Sequence, residues 1–282
     1  MFRTLSICFN FLIILIFSAC ATSPLGRSQL ILMPESEVNQ MGIQAFGVQK
    51  DKLPLSHDPA INDYVHCVTG ILTRQVQGQW EVAVFEDDTP NAFALPGQKI
   101  GVHTGILKVA QNQDQLAAVI GHEIGHVLAH HSNERISQQF ATKSGMVLTQ
   151  ILAGSSASSP SGQLLLGALG LGAQYGILLP FSRNQESEAD LIGLDLIAKS
   201  GFDPRESIDL WQNMAAAGGP SPVEFLSTHP SHQTRIRDLQ ARMAHALQLA
   251  DQTQNLGYKP DCHLQQTAPS VPKLEDATEN VE

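Results

Sequence analysis

The sequence of 282 residues predicts an α+β domain that is mainly α-helical and has a small β-sheet. Apolar residues recur at helical spacing in several segments, as they do over residues 59–72. Residues 80–85 alternate between the two faces of an extended strand, and residues 99–102 form a second extended run. A helical pattern follows and carries H-E-x-x-H at residues 122–126. The sheet is therefore predicted to lie beside the helix that carries this motif.

The predicted helices have recognisable starts. Residues 34–46 form the first, and Asp58 with Pro59 begins the second, because proline fits a first helical position. Asp114 is the predicted N-cap of the helix that carries H-E-x-x-H. Two helices are predicted later in the chain, over residues 203–214 and 231–249.

The motif itself consists of His122, Glu123 and His126. Residues four apart share one face of a helix, so the two imidazoles can bind one ion. Two histidines at this spacing are typical ligands of Zn²⁺, and Glu123 is then placed beside the water at the metal. The alternative is a chance match, since this pattern also occurs in proteins that bind no metal.

A catalytic zinc needs a third protein ligand and an open position for water. The spacing H-E-x-x-H-x-x-G-x-x-H is excluded, because Ala129 and Ser132 occupy its glycine and last histidine positions. His130 and His131 are out of register with it. They are predicted to be polar residues at the helix end, where an imidazolium interacts favourably with the helix dipole.

A later acidic segment offers another third ligand. Glu186 and Asp190 are four apart and share a helix face, whereas Glu188 is rotated by about 200° from Glu186. Glu186 is therefore the predicted ligand, and Asp190 is predicted to accept a hydrogen bond from a ligating histidine and fix its tautomer. The alternative is a solvated acidic face. The apolar residues at 191–194 disfavour it, because unpaired carboxylates are costly to bury.

The first 19 residues have the features of a secretory signal peptide. Arg3 supplies positive charge, residues 5–17 are nearly all apolar, and small residues precede Cys20. Cys20 resembles the lipid-bearing cysteine of bacterial lipoproteins, although Phe17 stands where an aliphatic residue is usual. Ala21 rather than aspartate follows, which by the same resemblance indicates the outer membrane. The alternative is an uncleaved anchor helix, for which the apolar run is short.

Export would leave Cys67 and Cys262 as an even pair in an oxidising compartment. They are a candidate disulfide that joins the two ends of the domain. Two unrelated thiols are the alternative.

The predicted organisation follows from these segments and from charge. Residues 1–19 are the signal peptide, 20–33 a lipidated tether, 34–262 one catalytic unit and 263–282 an acidic disordered tail. The apolar residues 164–179 are predicted to form a buried or site-flanking helix, with a membrane-facing or partner-facing hairpin as the alternative. The formal net charge of −10 excludes nucleic acid as the main partner, because no basic surface is available for phosphates.

Four motifs follow one another along the chain. The first is Asn91-Ala92-Phe93 with Pro96-Gly97, and the second is H-E-x-x-H. The third is Ser182-Arg183 with Glu186-x-x-x-Asp190, and the fourth is Thr228-His229-Pro230 with Arg235-Ile236. The set resembles the HtpX-like and CAAX-prenyl-protease-type zinc metallopeptidases over nearly the whole chain after the signal. Residues 24–30, and the small residues followed by Cys20, are most similar to periplasmic lipoproteins of that family. The resemblance implies a gluzincin-like zinc peptidase domain.

The resemblance also implies roles for the site residues. His122, His126 and Glu186 would bind one Zn²⁺ per chain, and Glu123 would be the general base that takes a proton from the attacking water. His229 has three candidate roles, namely a fourth ligand that keeps the enzyme inactive, a group that stabilises the oxyanion, or a structural residue.

A substrate site is predicted at Asn91, Ala92 and Phe93. In zinc peptidases a sheet edge beside the metal helix can pair with an extended peptide. The alternative is a structural turn that contains proline and glycine.

The family resemblance implies an endopeptidase that acts on unfolded or misassembled envelope proteins. It would be lipid-anchored at the periplasmic face of the outer membrane, with other envelope proteases or assembly factors as further partners. The alternative is a non-catalytic or latent chaperone-like lipoprotein with a structural zinc.

Overall fold

A computed structural model describes residues 20–152, 181–217, 224–229 and 233–264. The predictions for the signal peptide, the apolar residues 164–179 and nearly all of the acidic tail lie outside these ranges. Within the described residues, no helix combines the length and the apolar character that a membrane span requires.

The described residues form a mainly helical α+β structure, which confirms the predicted fold class. The helices are α1 Glu35–Lys52, α2 Pro59–Thr73, α3 Gln113–Leu128, α4 His131–Leu152, α5 Arg183–Lys199, α6 Glu206–Ala217, α7 Glu224–Thr228 and α8 Gln233–Asn255, with a 3-10 helix at Thr104–Lys108. The strands are β1 Cys20–Thr22, β2 Ser28–Leu30, β3 Glu81–Phe85, β4 Ala92–Leu95 and β5 Lys99–His103.

Helix α3, which carries H-E-x-x-H, is capped by a different residue from the one predicted. Asn112 is the N-cap, and its side chain accepts a hydrogen bond from the Gln115 backbone N–H at 2.8 Å. Asp114 already lies in the first turn, where its carboxylate accepts the Asp203 backbone N–H at 2.8 Å. The prediction of Asp114 as the cap is therefore wrong, because a capping residue must precede the helix.

The three-stranded sheet has the order β3-β5-β4. Strand β5 pairs in parallel with β3 and antiparallel with β4, with Ala92 opposite Val102 and Leu95 opposite Lys99. Strand β4 is thus an edge strand, and it packs against α3. This arrangement places the predicted substrate segment beside the H-E-x-x-H helix.

Helices α3 and α5 pack closely, and glycines permit the approach. A Cβ atom on Gly125 would lie 2.7 Å from the carbonyl oxygen of Ala189, and one on Gly193 would lie 2.8 Å from the backbone nitrogen of His122. Fully buried side chains such as Leu116 and Ile197 continue the contact. Any larger residue at the two glycines would separate the helices.

The segment of residues 20–33 differs from the predicted tether. Strands β1 and β2 form an antiparallel hairpin that packs on helices α4 and α5. Arg27 forms ion pairs with Glu134 and Glu188, and Gln29 donates a hydrogen bond to the carbonyl oxygen of Ala129. The hairpin is ordered because its polar side chains have buried partners, which a solvated tether would lack.

A disulfide joins Cys67 on α2 to Cys262, which follows α8, with 5.8 Å between the two Cα atoms. The two cysteines are 195 residues apart in sequence. The bond therefore ties the end of the domain to its second helix.

The first prediction concerns this disulfide. Its removal in the Cys67→Ala, Cys262→Ala double variant lowers the free energy of unfolding by up to about 5 kcal/mol, because the cross-link restricts the unfolded chain. Urea unfolding with and without reductant measures the effect. Reductant lowers the wild-type midpoint and leaves that of the double variant unchanged; equal sensitivity of both proteins would contradict the prediction.

Candidate metal centre and active site

Four side chains from three parts of the fold converge in the core. Helix α3 supplies His122 and His126, α5 supplies Glu186, and His229 follows α7. Each offers one ligand atom, and these atoms lie within 4.8 Å of one another. All four residues are buried. The structure thus brings together the three predicted zinc ligands and His229.

The donor separations fit a tetrahedral metal ion. Bonds of about 2.0 Å to four tetrahedral ligands place neighbouring donor atoms about 3.3 Å apart. The His122 Nε2 atom lies 3.1 Å from His126 Nε2 and 3.2 Å from His229 Nδ1. The Glu186 carboxylate oxygens lie 3.4 Å from His122 Nε2, 3.5 Å from His126 Nε2 and 3.1 Å from His229 Nδ1. Three imidazoles and one carboxylate are also a donor set that zinc prefers.

Burial and neighbouring charges shift the pKa values of the candidate ligands. Burial, and then the positive charge of His122, lower the pKa of His126, so this imidazole is neutral as a ligand must be. Burial opposes ionisation of Glu186, but His122 and His229 outweigh it and lower the pKa of this carboxyl. Burial also acts against a charged His122, yet hydrogen bonds to Asp190 and Glu186 raise its pKa to about 9. A metal ion that binds His122 would therefore displace a proton from it.

Asp190 and Arg235 contact His122 and Glu186 and hold their side chains in place. The Asp190 Oδ1 atom lies 2.9 Å from His122 Nδ1, which is the geometry predicted from the helical spacing. Arg235 donates to both oxygens of Asp190, at 2.6 and 2.7 Å, and its Nη1 lies 2.9 Å from Glu186 Oε2. Its guanidinium also stacks on Trp211, 3.6 Å from the ring centre.

The sequence predictions gave Arg235 no role. Arg235, Leu239 and Ala246 lie on one buried face of α8. A charged residue at an apolar position of a helix is the signal that could have identified it, because burial of an arginine requires a partner.

His131 is the clearest error among the predictions for this region. It is fully buried rather than solvated, with its Nδ1 atom 2.9 Å from His126 Nδ1 and its Nε2 atom 3.1 Å from Glu188 Oε2. Burial lowers the pKa of His131, so the neutral form of this imidazole is favoured. The reason is the backbone at His130, whose φ of 52° turns the chain and tucks His131 beneath α3.

Glu123 lies between the ligands and the edge strand. Its Oε2 atom accepts the Ala94 backbone N–H at 3.2 Å, and its Oε1 atom lies 3.3 Å from His229 Nε2. Burial raises the pKa of Glu123. The Ala94 N–H is directed at Glu123 instead of another strand, so the free edge of β4 faces the candidate metal centre.

A cleft of about 360 Å³ opens beside Glu123 and His229. The predicted substrate residues line it, together with Leu53, His103 and Phe181. Phe181, to which the sequence predictions gave no role, stacks on the His126 ring with centroids 3.7 Å apart. The cleft therefore joins an edge strand, the candidate base and the candidate metal centre.

Comparison with known proteins agrees with this geometry. Residues 58–243 match the model described as peptidase family M48. The mitochondrial metalloendopeptidase OMA1 of Schizosaccharomyces pombe is 43% identical over 164 residues, which are 57% of this chain and 46% of the relative. The zebrafish (Danio rerio) metalloendopeptidase OMA1 is 34% identical over 253 residues, which are 83% and 52% of the two chains.

A bacterial relative is also similar. The beta-barrel assembly-enhancing protease of Yersinia pestis is 30% identical over 230 residues, which are 79% of this chain and 45% of the relative. The chain spans about half the length of the curated relatives it matches. The family model covers more than half of the chain and includes all four residues of the candidate metal centre. The chain therefore belongs to peptidase family M48.

Proposed function

We propose that this protein is a zinc-dependent endopeptidase that hydrolyses peptide bonds in unfolded or misassembled proteins of the cell envelope. The observation that carries the proposal is the convergence of His122, His126 and Glu186 beside Glu123, at the floor of a cleft with a free strand edge. Membership of peptidase family M48 and relatives named metalloendopeptidases support the reaction class.

His122, His126 and Glu186 would hold one Zn²⁺. When bound, zinc supplies Lewis acidity that activates a water molecule and polarises the scissile carbonyl. Asp190 holds the tautomer of His122 that leaves Nε2 free to act as a ligand.

Glu123 is the proposed general base. It would accept the proton of the attacking water and return it to the leaving amine. The raised pKa of Glu123 suits this exchange, because a carboxylate of higher pKa accepts a proton more readily. The hydrogen bond from the Ala94 N–H fixes one carboxylate oxygen and so orients the other.

The edge strand β4 accounts for a preference for unfolded substrates. An extended peptide can add to a free strand edge through main-chain hydrogen bonds. Asn91, Ala92 and Phe93 line the cleft at this edge, so a peptide bound there would lie beside Glu123. A folded substrate has already used the main-chain groups that this contact requires.

The second prediction tests the general base. Glu123→Gln lowers kcat on an unfolded, fluorescently labelled protein at least about 100-fold, which is the low end of what a positioned base contributes. Zinc content stays at one ion per chain, because the side chain is not a ligand. Peptide cleavage and metal analysis are measured on the same samples; equal cleavage by both proteins would rule out the assigned role.

His229 favours a second candidate function, a latent or non-catalytic chaperone-like protein with a structural zinc. Its Nδ1 atom lies 3.2 Å from His122 Nε2 and 3.1 Å from Glu186 Oε1, at the fourth donor position. A closed set of four protein ligands leaves no position for water. Phe225 stacks on the His229 ring with centroids 4.4 Å apart and holds it there.

The third prediction separates these functions. His229→Ala opens the fourth position, so we expect faster proteolysis, by roughly tenfold if about a tenth of wild-type molecules are open at a given time. Proteolysis is measured for His229→Ala, for Glu123→Gln and for the double variant that carries both substitutions. No cleavage by His229→Ala, despite bound zinc, would favour the structural zinc, and a rate that falls but persists would assign oxyanion stabilisation to His229.

The proposed location is the periplasmic face of the outer membrane, reached by a lipid on Cys20 after removal of residues 1–19. The disulfide between Cys67 and Cys262 supports an oxidising compartment. Strand β1 begins at Cys20, so a lipid there would hold the catalytic unit close to the membrane. Other envelope proteases or assembly factors are the proposed further partners, and the name of the Yersinia pestis relative supports a link with β-barrel assembly.

The fourth prediction tests the anchor. Cys20→Ala removes the acceptor of the lipid and moves the protein from the membrane fraction to the soluble fraction, because one uncleaved apolar run of this length anchors poorly. Fractionation and metabolic labelling with a fatty acid measure this. Cys67→Ala keeps wild-type labelling; a Cys20→Ala protein that is still labelled would exclude Cys20 as the lipidation site.

A further inference from the structure

A chain of hydrogen bonds leads from a metal ligand to the N-terminal hairpin. His126 faces the other ligands through Nε2, whereas its Nδ1 atom points away and lies 2.9 Å from His131 Nδ1. The opposite ring nitrogen of His131 lies 3.1 Å from Glu188 Oε2. Glu188 in turn accepts hydrogen bonds from Arg27 Nε at 2.8 Å and from the Ser23 hydroxyl.

One arrangement of hydrogens satisfies this chain. If His126 binds the metal through the lone pair of Nε2, its hydrogen is on Nδ1 and is donated to His131. His131 then accepts at Nδ1 and carries its own hydrogen on Nε2, which it donates to Glu188. The ionised Glu188 only accepts, so Arg27 and Ser23 complete the chain as donors. Each member thereby fixes the tautomer of the next.

We propose that His131 is a positioning residue for the metal ligand His126, and that the N-terminal hairpin holds it in place through Arg27 and Glu188. The inference rests on the zinc site proposed above. A histidine whose second nitrogen has a fixed partner keeps its ring oriented and its ligand nitrogen basic. Here the partner is a second histidine, and the carboxylate stands one residue further away.

Arg27 connects the hairpin to two helices. Its guanidinium pairs with Glu188 on α5 at 2.8 Å and with both oxygens of Glu134 on α4, at 2.6 and 2.7 Å. Both carboxylates are at least nine-tenths buried. Without Arg27 they would be two neighbouring buried anions, which is costly. Docking of the hairpin therefore keeps Glu188 directed at His131.

A purely structural role for His131 predicts different behaviour. A residue that only fills space could be replaced by an apolar ring of similar size without effect on the metal. The hairpin also precedes residue 58, where the match to the family model begins. The hairpin would thus add a contact to the metal centre from outside the matched region.

The fifth prediction compares His131→Phe, His131→Asn and Arg27→Ala in the full mature protein. His131→Phe removes the acceptor for His126 Nδ1–H and weakens zinc binding about 10–100-fold. His131→Asn recovers most of the affinity, because its amide oxygen can take the place of Nδ1. Competition with a chromophoric chelator measures affinity, and the visible spectrum of the Co²⁺ form reports the altered ligand geometry in His131→Phe.

Arg27→Ala weakens zinc binding several-fold in the same direction. Its effect is absent when combined with His131→Phe, because both residues act through one chain. Ser137→Ala is the matched control: this buried serine binds the Leu32 N–H of the same N-terminal segment but does not touch the chain to His126. It keeps wild-type affinity and the wild-type Co²⁺ spectrum.

Glu186→Ala distinguishes failure of the inference from failure of the zinc site. Loss of metal in Glu186→Ala together with wild-type affinity and spectrum in His131→Phe would overturn the positioning role alone. Wild-type affinity in Glu186→Ala would overturn the proposed ligand set and the function with it. Thermal unfolding of the metal-free forms identifies a variant that does not fold, and if His131→Phe is one, wild-type affinity in Arg27→Ala overturns the inference.

Discussion

The close approach of α3 to α5 is the constraint on which the rest of this structure depends. Gly125 and Gly193 allow the two backbones to meet without side chains between them. The carboxylate of Glu186 thereby reaches the two histidines of α3, and Asp190, one turn later, reaches the far side of His122. Both motifs are helical, so each presents its pair of side chains to the other over a single turn. The small residues at this interface are therefore required for the geometry of the candidate metal centre.

Such a centre concentrates charge in the core, and the fold has to compensate for it. Burial of an ion costs several kcal/mol unless partners and hydrogen bonds are supplied. Arg235 meets this requirement by pairing with Asp190 and Glu186 at once, and Arg27 does the same for Glu134 and Glu188. A metal ion would also compensate the buried negative charge. Because it would bind the folded state, it would stabilise that state by mass action. Stability and metal binding would thus be coupled in this protein.

Two short segments outside the central helix pair reach the candidate metal centre. One carries His229 to the fourth donor position, beside the proposed base Glu123 and the free edge of β4. The other is the hairpin, whose Arg27 reaches His126 through Glu188 and His131. The His229 segment lies on the side of the cleft, whereas the hairpin is connected to the opposite ring nitrogen of His126. In the proposed enzyme, a shift of either segment would change activity although the three ligand residues stay the same.

The sequence by itself determined the elements with regular periodicity. Helical spacing was enough to place His122 beside His126 and Glu186 beside Asp190, and alternation located strand β3, because these relations are local. Only the tertiary structure decided the positions of His229 and His131, since their contacts join elements with no periodic relation in sequence, and one non-glycine residue with positive φ redirected the chain before His131. The same holds for the hairpin that the composition indicated to be a tether. Its order comes from ion pairs with residues more than a hundred positions away, which no local pattern encodes.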